Sequence, residues 1–186
     1  MKNKKDIKIK IISNSANIIW LTGLSGSGKS SISNFLLNIL VKKKFRVLQV
    51  DGDKFRTNQK YKNSFLKKDI IKNNMKIIKH VVSKKKKYDF IIVSVVSPIL
   101  KTRLLAKKFF KKKYYEVYVK CKISTLIKRD TKGLYELAKK GKIKNLIGYK
   151  SRVNYEKSTY SKIIVNTDKY NIKQCSSIIL NKISLF

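Results

Sequence analysis

The sequence predicts an α/β fold, a parallel sheet of about five strands lying between two layers of helices. Three observations predict it. Strand-like and helix-like segments alternate along the whole chain. The run Tyr88-Asp89-Phe90-Ile91-Ile92-Val93-Ser94-Val95 is almost continuously apolar, as a strand covered on both faces must be. A glycine-rich segment joins one apolar strand directly to a helical run. At 186 residues with 42% hydrophobic content, the chain is long enough for one folded domain with a sizeable core.

Each element follows from local pattern. Residues 1–16 read as a basic tail, and 17–186 as the folded domain. Asn17-Ile18-Ile19-Trp20-Leu21-Thr22 reads as a buried strand, and 31–40 has helical periodicity. Phe45 to Val50 reads as a second strand ending at Asp51. Ser64 suits the N-cap of a helix running to about Val82. The strand at 88–95 follows, then Pro98, the only proline, and a helix over about 101–110. Tyr115-Glu116-Val117-Tyr118-Val119 reads as the fourth strand and 123–130 as helical. Residues 131–157 are polar and punctuated by glycine, which suits a mobile lid. A last strand at 162–166 and a closing helix at 171–183 complete the chain.

The segment between the first strand and helix carries chemistry. Gly23-Leu24-Ser25-Gly26-Ser27-Gly28-Lys29-Ser30 fits the spacing G-x-x-x-x-G-K-[ST], the loop that wraps nucleotide phosphates. Glycines let backbone N–H groups turn toward phosphate oxygens. The following helix aims its positive end at them. Lys29 would reach the β- and γ-phosphates of ATP, and Ser30 would ligate Mg²⁺. The fold class narrows to a three-layer α/β/α sheet of the P-loop NTPase kind.

Ligand sites of such sheets lie at the carboxyl ends of the strands. The loop at 23–30, Asp51-Gly52-Asp53 and Ser97-Pro98 all follow strand ends, so they are expected to converge on one crevice. One aspartate suits the Mg²⁺ shell, with Asp51 beside Ser30. The other suits the proton of an attacking hydroxyl. A tight turn would also favour Asp-Gly-Asp.

Composition sets bounds. The formal net charge is +36, with 46 Lys and Arg against 10 Asp and Glu. Lysine is spread along the sequence, as a usage bias would leave it, and this raises non-specific affinity for polyanions. Arginine occurs only at Arg46, Arg56, Arg103, Arg129 and Arg152. In so lysine-rich a chain it marks sites needing a planar, bidentate fork. Cys121 and Cys175 lack metal-ligand spacing and read as free thiols of a cytoplasmic protein. The single His80 is assigned no role. No apolar run is long enough to span a bilayer, and Ile11-Ile12 is too short for a signal-peptide core.

The motifs together resemble the adenylyl-sulfate kinase family, from about Trp20 to Asp168. They are the loop 23–30, Asp51-Gly52-Asp53 with Arg56, Phe65 with Asn73, Ser97-Pro98 with Arg103, and Glu116-Val117-Tyr118-Val119. Arg129-Asp130-Thr131-Lys132-Gly133-Leu134-Tyr135 is the most diagnostic stretch. Gly141 to Asn145, Gly148 and Tyr155-Glu156 follow it. The resemblance implies phosphorylation of the ribose 3′-hydroxyl of adenylyl sulfate (APS), using ATP and Mg²⁺, in sulfate assimilation. It implies that residues 23–30 and Arg129 bind ATP. It places Asp51, Asp53, Arg56, Phe65, Asn73, Lys132, Gly133 and Leu134 around the APS nucleotide, with Phe65 a platform for adenine. Ser97 matches a serine described in the family as a phosphoserine intermediate. Direct in-line transfer, with Asp53 as base or orienter and Lys29 on the developing charge, is chemically simpler. A homodimer is also implied, with no specific nucleic acid and no membrane as partner.

The sequence departs from the family pattern at Ile70, Met75, Ile99, Leu100 and Leu146, and at Lys150 with Ser151. Several of these positions bear arginine or aromatic residues in the family. Two alternatives follow: a related kinase acting on another nucleotide's ribose hydroxyl, and a polyanion-binding protein in which ATP is regulatory. The basic, aromatic stretch 107–115 supports the second, although it also reads as a helix end joined to a core strand.

Overall fold

The computed structural model describes residues 15–57, 66–161 and 163–183. Five strands, β1 (Asn17–Thr22), β2 (Val47–Asp51), β3 (Phe90–Ser94), β4 (Tyr114–Lys120) and β5 (Ile163–Asn166), form one sheet in the order β2-β3-β1-β4-β5. Every pairing is parallel. The connecting helices are α1 (Lys29–Lys42), α2 (Gly52–Thr57), α3 (Lys67–Lys84), α4 (Leu100–Phe110), α5 (Ile123–Arg129), α6 (Leu134–Lys139) and α7 (Ile172–Lys182).

Alternation along β1 builds both cores. Ile19 and Leu21 point to one face and pack with Ile32, Leu36 and Leu40 of α1 and Ile179 of α7. Ile18 and Trp20 point to the other and pack with Ile77, Ile78 and Val81 of α3 and Ala106 of α4. This is the three-layer arrangement that the unbroken apolar strands require.

Several boundaries differ from the sequence reading for physical reasons. Ala16, placed in the tail, is fully buried, and its N–H donates to the Lys85 carbonyl at 2.8 Å. Residues 1–14 lie outside the described residues. β2 starts at Val47, not Phe45, because Arg46 is committed to Asp89. Its backbone N–H and guanidinium both donate to that carboxylate, at 2.7 and 3.1 Å. Ser64 and Phe65 lie outside the described residues, and α3 begins after Leu66 with no side-chain cap. α2 and α6 have six residues each, and both are caught by an aspartate side chain. Asp51 Oδ1 accepts from the Asp53 N–H at 2.9 Å, and Asp130 accepts from the Tyr135 and Glu136 N–H groups at 3.1 and 2.9 Å. α7 carries a reciprocal cap between Asn171 and Gln174.

Candidate active site

The strand ends converge as parallel topology demands. A cavity of about 110 Å³ at the carboxyl edge of the sheet is lined by Gly26, Gly28, Lys29, Ser30, Asp53, Ser94, Thr131 and Lys132, among others. The phosphate loop fills the turn from β1 to α1. At Gly23, φ is +148°, and an added Cβ would sit 2.5 Å from the Val119 carbonyl oxygen, so this turn requires glycine. Thr167, just past β5, supports the loop from beneath by donating from its hydroxyl to the Ser27 carbonyl at 3.1 Å.

Lys29 is buried and donates to the Leu24 carbonyl at 2.7 Å and to Ser27 Oγ at 3.4 Å. Burial lowers its pKa to about 8, against the pull of Asp53 and Asp51 and with the push of Lys132. Ser30 Oγ donates to Asp51 Oδ2 at 3.1 Å. Asp51 thus uses one oxygen to start α2 and the other to meet the loop. Gly52 makes this possible: an added Cβ would meet Val95 Cγ2 at 2.8 Å and the Ser94 carbonyl at 3.1 Å. The step of α2 toward β3 leaves no room for a side chain.

The segment 131–157 lies over the loop. Lys132 makes an ion pair with Asp53, and both side chains are about half exposed. Such a pair contributes only about 0–1 kcal/mol, so it exchanges readily for another partner. Tyr135 donates to the Ser25 carbonyl at 2.9 Å, and Leu24 packs against a cluster of Leu126, Tyr135, Ala138 and Leu146. Gly133, with φ +63°, precedes α6, and Leu134 packs on the same cluster.

Arg129 reaches the far side of the loop through Thr167, donating to its hydroxyl at 3.2 Å and its carbonyl at 2.7 Å. Beside it, Asp168 accepts from the Lys122 N–H at 2.8 Å and from Cys121 at 3.4 Å. Burial would raise the Asp168 pKa, but these donors, Thr125 and the Arg129 charge together hold it below the usual carboxylate range.

Ser97 sits in a positive-φ turn at +39° and is buried. Its hydroxyl lies 3.5 Å from Thr102 Oγ1, inside the fold, and does not line the cavity around Lys29 and Asp53. Its carbonyl accepts from Arg103 at 2.6 Å. Asn73 is buried on α3. Phe65 lies outside the described residues, and Arg56 is placed on α2 by its backbone alone.

Sequence reasoning missed Thr22, Thr167 and the anchoring role of Arg103. The Thr22 hydroxyl donates to the Val96 carbonyl at 2.7 Å and meets Tyr155 at 3.0 Å. Thr22 ends β1 and Thr167 follows β5, so the strand-end rule applied to every strand would have found both. Arg103 is fully buried and donates to Glu116 at 3.2 Å and to the carbonyls of Ser97 and Glu156. That is the planar fork that arginine scarcity implies.

The parallel sheet, the phosphate loop with its Lys29, and the facing Asp53 define a phosphate-loop phosphotransferase. The family described as adenylylsulphate kinase matches residues 15–166. An adenylyl-sulfate kinase from Clostridium acetobutylicum is 32% identical, covering 94% of this chain and 86% of the relative. A probable adenylyl-sulfate kinase from Archaeoglobus fulgidus is 35% identical over 82% of this chain and 96% of its own length. The solved Mycobacterium tuberculosis APS kinase in complex with AMPPNP and APS superposes with a TM-score of 0.76 at 24% identity, covering 90% of this chain and 97% of that one, and shares its fold. The chain belongs to the adenylyl-sulfate kinase family and is an enzyme of this kind.

Proposed function

We propose that this enzyme transfers the γ-phosphoryl group of ATP to the ribose 3′-hydroxyl of APS, giving 3′-phosphoadenylyl sulfate and ADP, through the residues gathered at the phosphate loop. The observation that carries the assignment of roles is the meeting of Lys29, Asp53 and Lys132 at one cavity. The backbone N–H groups of 23–30 and the N-terminus of α1 hold the phosphates. Lys29 leaves the Leu24 carbonyl for the β- and γ-oxygens, and Lys132 exchanges Asp53 for the incoming phosphates. That exchange frees Asp53 to accept the proton of the 3′-hydroxyl as it attacks in line. Transfer is direct, with no phosphoserine.

Mg²⁺ suits the donors offered here, a hydroxyl and a carboxylate 3.1 Å apart, both hard oxygen ligands. Ser30 and Asp51 would hold it, directly or through water, and it would supply positive charge to the phosphates. Among the described residues no group of three His, Cys, Asp or Glu could hold a metal. By the family resemblance we assign Asn73, Arg56, Phe65, Gly133 and Leu134 to the nucleotide side of the acceptor site. Among the described residues no helix is long and apolar enough to cross a membrane. We place the enzyme in the cytoplasm, where Cys121 and Cys175 stay reduced, and expect a homodimer.

One observation favours a second acceptor, another nucleotide with a free ribose hydroxyl. Ile70 and Ile99 pack with Ile147 in one apolar cluster beside Leu24, where the family resemblance leads one to expect polar and charged groups. The test is ADP release from ATP and Mg²⁺ with APS, beside Asp53→Asn. Turnover that needs APS and collapses in the variant supports the reading. ATP binding without APS-dependent turnover moves the acceptor to another nucleotide.

A further inference from the structure

The fold segregates acid, although lysine is everywhere. Because the strands are parallel, α1, α3, α4 and α7 all run back to the amino edge of the sheet, opposite the active site. Each delivers lysines there, at 42–44, 84–87, 111–113 and 182. Register makes these runs neighbours. Val47 of β2 and Asn17 of β1 both pair with Phe90, and Tyr114 pairs with Ile18. The runs therefore follow one another along the edge of the strands, with 84–87 and 111–113 on either side of the point where Ala16 enters β1. Five strands at about 4.8 Å spacing make this edge roughly 20 Å long.

Of the nine described acidic residues, Asp51, Asp53, Asp69, Asp130, Glu136, Glu156 and Asp168 belong to the carboxyl half of the molecule. The two nearer the amino edge, Asp89 and Glu116, are each held by an arginine. Among the described residues, the amino edge thus carries many lysines and only these two acids, both paired.

Two further features distinguish this edge from a merely solvated one. A cavity of about 310 Å³ opens there, lined by Lys107, Lys182, Tyr114, Tyr115, Tyr160 and Glu116 among others. The Lys107 ammonium lies 4.2 Å from the Tyr160 ring centroid. Phe109, beside Lys108, is 46% exposed. Rings among lysines offer stacking surfaces next to phosphate-binding charge. The exposed apolar side chains on this edge, Phe109 and Val41, stand on helices of opposite layers. That gives no continuous wedge for a lipid surface, whereas separate rings suit unstacked bases.

We propose that the amino edge of the sheet is a binding surface for single-stranded RNA, with the lysine runs on the phosphates and the tyrosine-lined cavity receiving a base. It is a second site, distinct from the phosphate loop.

The test is fluorescence anisotropy of the full chain with an oligouridylate of about 20 nucleotides, titrated at several salt concentrations. Lys86→Gln/Lys87→Gln/Lys111→Gln/Lys112→Gln is expected to weaken binding at least about tenfold. It should also lower the slope of log affinity against log salt by about 0.7 for each lysine engaged. Lys107→Gln/Lys182→Gln is expected to lower affinity as well. Both variants should keep wild-type circular dichroism and nucleotide kinase turnover. Lys101→Gln/Lys169→Gln/Lys173→Gln, at the opposite edge, should bind RNA within about twofold of wild type. Equal loss in that control, absence of binding by the wild-type chain, or displacement of RNA by ATP would overturn the proposal. So would retention on phosphatidylserine vesicles that the RNA fails to compete away.

Discussion

The Tyr135 hydroxyl donates to the Ser25 carbonyl at 2.9 Å, joining the lid segment to the phosphate loop across 110 residues of sequence. Tyr135 is buried and also packs edge-on against Tyr149, with ring centroids 5.9 Å apart. Tyr135→Phe keeps the ring and removes only the hydrogen bond. A neutral bond of this kind contributes about 0.5–1.5 kcal/mol. The expected result is a fall of about 3- to 10-fold in kcat/KM for ATP with little change in melting temperature. Steady-state kinetics beside a thermal melt checks it, and a variant kinetically equal to wild type would show that the loop holds its working shape without this bond.

Lys29 predicts a pH dependence. Desolvation brings its pKa down to about 8 in the free enzyme, while phosphate charge in the complex favours the protonated form. Below about pH 8 the ammonium is present and ATP affinity is level. Above it, binding must also recruit a proton, so affinity falls, at most about tenfold per pH unit. At saturating ATP, kcat should hold to higher pH than kcat/KM. Measuring both from about pH 6.5 to 9.5 decides it. Identical profiles would mean that another group sets the alkaline limb.

Arg103, on α4, anchors a strap of residues 155–160 at the end of the segment over the loop. It binds Glu116 and two carbonyls, and stands 5.1 Å over the Tyr155 ring. Tyr160 and Tyr114 also donate to Glu116. Arg103→Met leaves the Glu116 carboxylate buried without its counter-charge, which costs about 3–5 kcal/mol. Arg103→Lys should recover only part, because a point charge cannot reach three acceptors in one plane. Urea unfolding of the two variants is the measurement. A loss under about 1 kcal/mol would show that the strap is held elsewhere.

Most of the sheet was legible because parallel strands advertise themselves as unbroken apolar runs. The crevice was legible because the loop 23–30 and Asp51-Gly52-Asp53 fell at strand ends; Ser97, at a third, turns its hydroxyl toward Thr102 and does not line the cavity. α2 and α6 were not, since six residues carry little periodicity and both helices exist through an aspartate that caps them. Thr22 and Thr167 stand at strand ends, but their pairings with Tyr155 and Ser27 stayed hidden because the partners lie 133 and 140 residues apart. Ordinary polar residues acquire such roles only when the fold brings them together. The one-sided placement of acid was hidden for the same reason, because sequence order interleaves ends that the parallel topology separates.

Gly52 tests whether the position of α2 matters to chemistry. Gly52→Ala puts a methyl group 2.8 Å from Val95 and 3.1 Å from the Ser94 carbonyl, between two strands that have no slack. Overpacking of this kind costs about 1–3 kcal/mol and shifts the backbone. Asp51 and Asp53 flank the shifted residue, so kcat should fall further than ATP affinity, by about tenfold or more. Comparing kcat with ATP binding measured by calorimetry separates the two. Equal losses in both would mean general destabilisation, and the argument from α2 would fail.

Ser97 separates the two routes of phosphoryl transfer. A covalent route needs its oxygen within reach of the γ-phosphate and of a base. Here the oxygen is buried 3.5 Å from Thr102, outside the cavity that Lys29 and Asp53 line. The backbone does the work at this turn, since the Ser97 carbonyl receives Arg103 at 2.6 Å. Ser97→Ala keeps that carbonyl and loses only a long hydroxyl contact. Turnover should therefore stay within about threefold of wild type, an effect under about 0.7 kcal/mol. Mass spectrometry of enzyme quenched during turnover should find no phosphoserine at this position. A folded Ser97→Ala enzyme with turnover reduced about a hundredfold or more would bring the hydroxyl into the reaction. Asp53→Asn should in contrast lose turnover while retaining ATP, because removing the base leaves the loop intact.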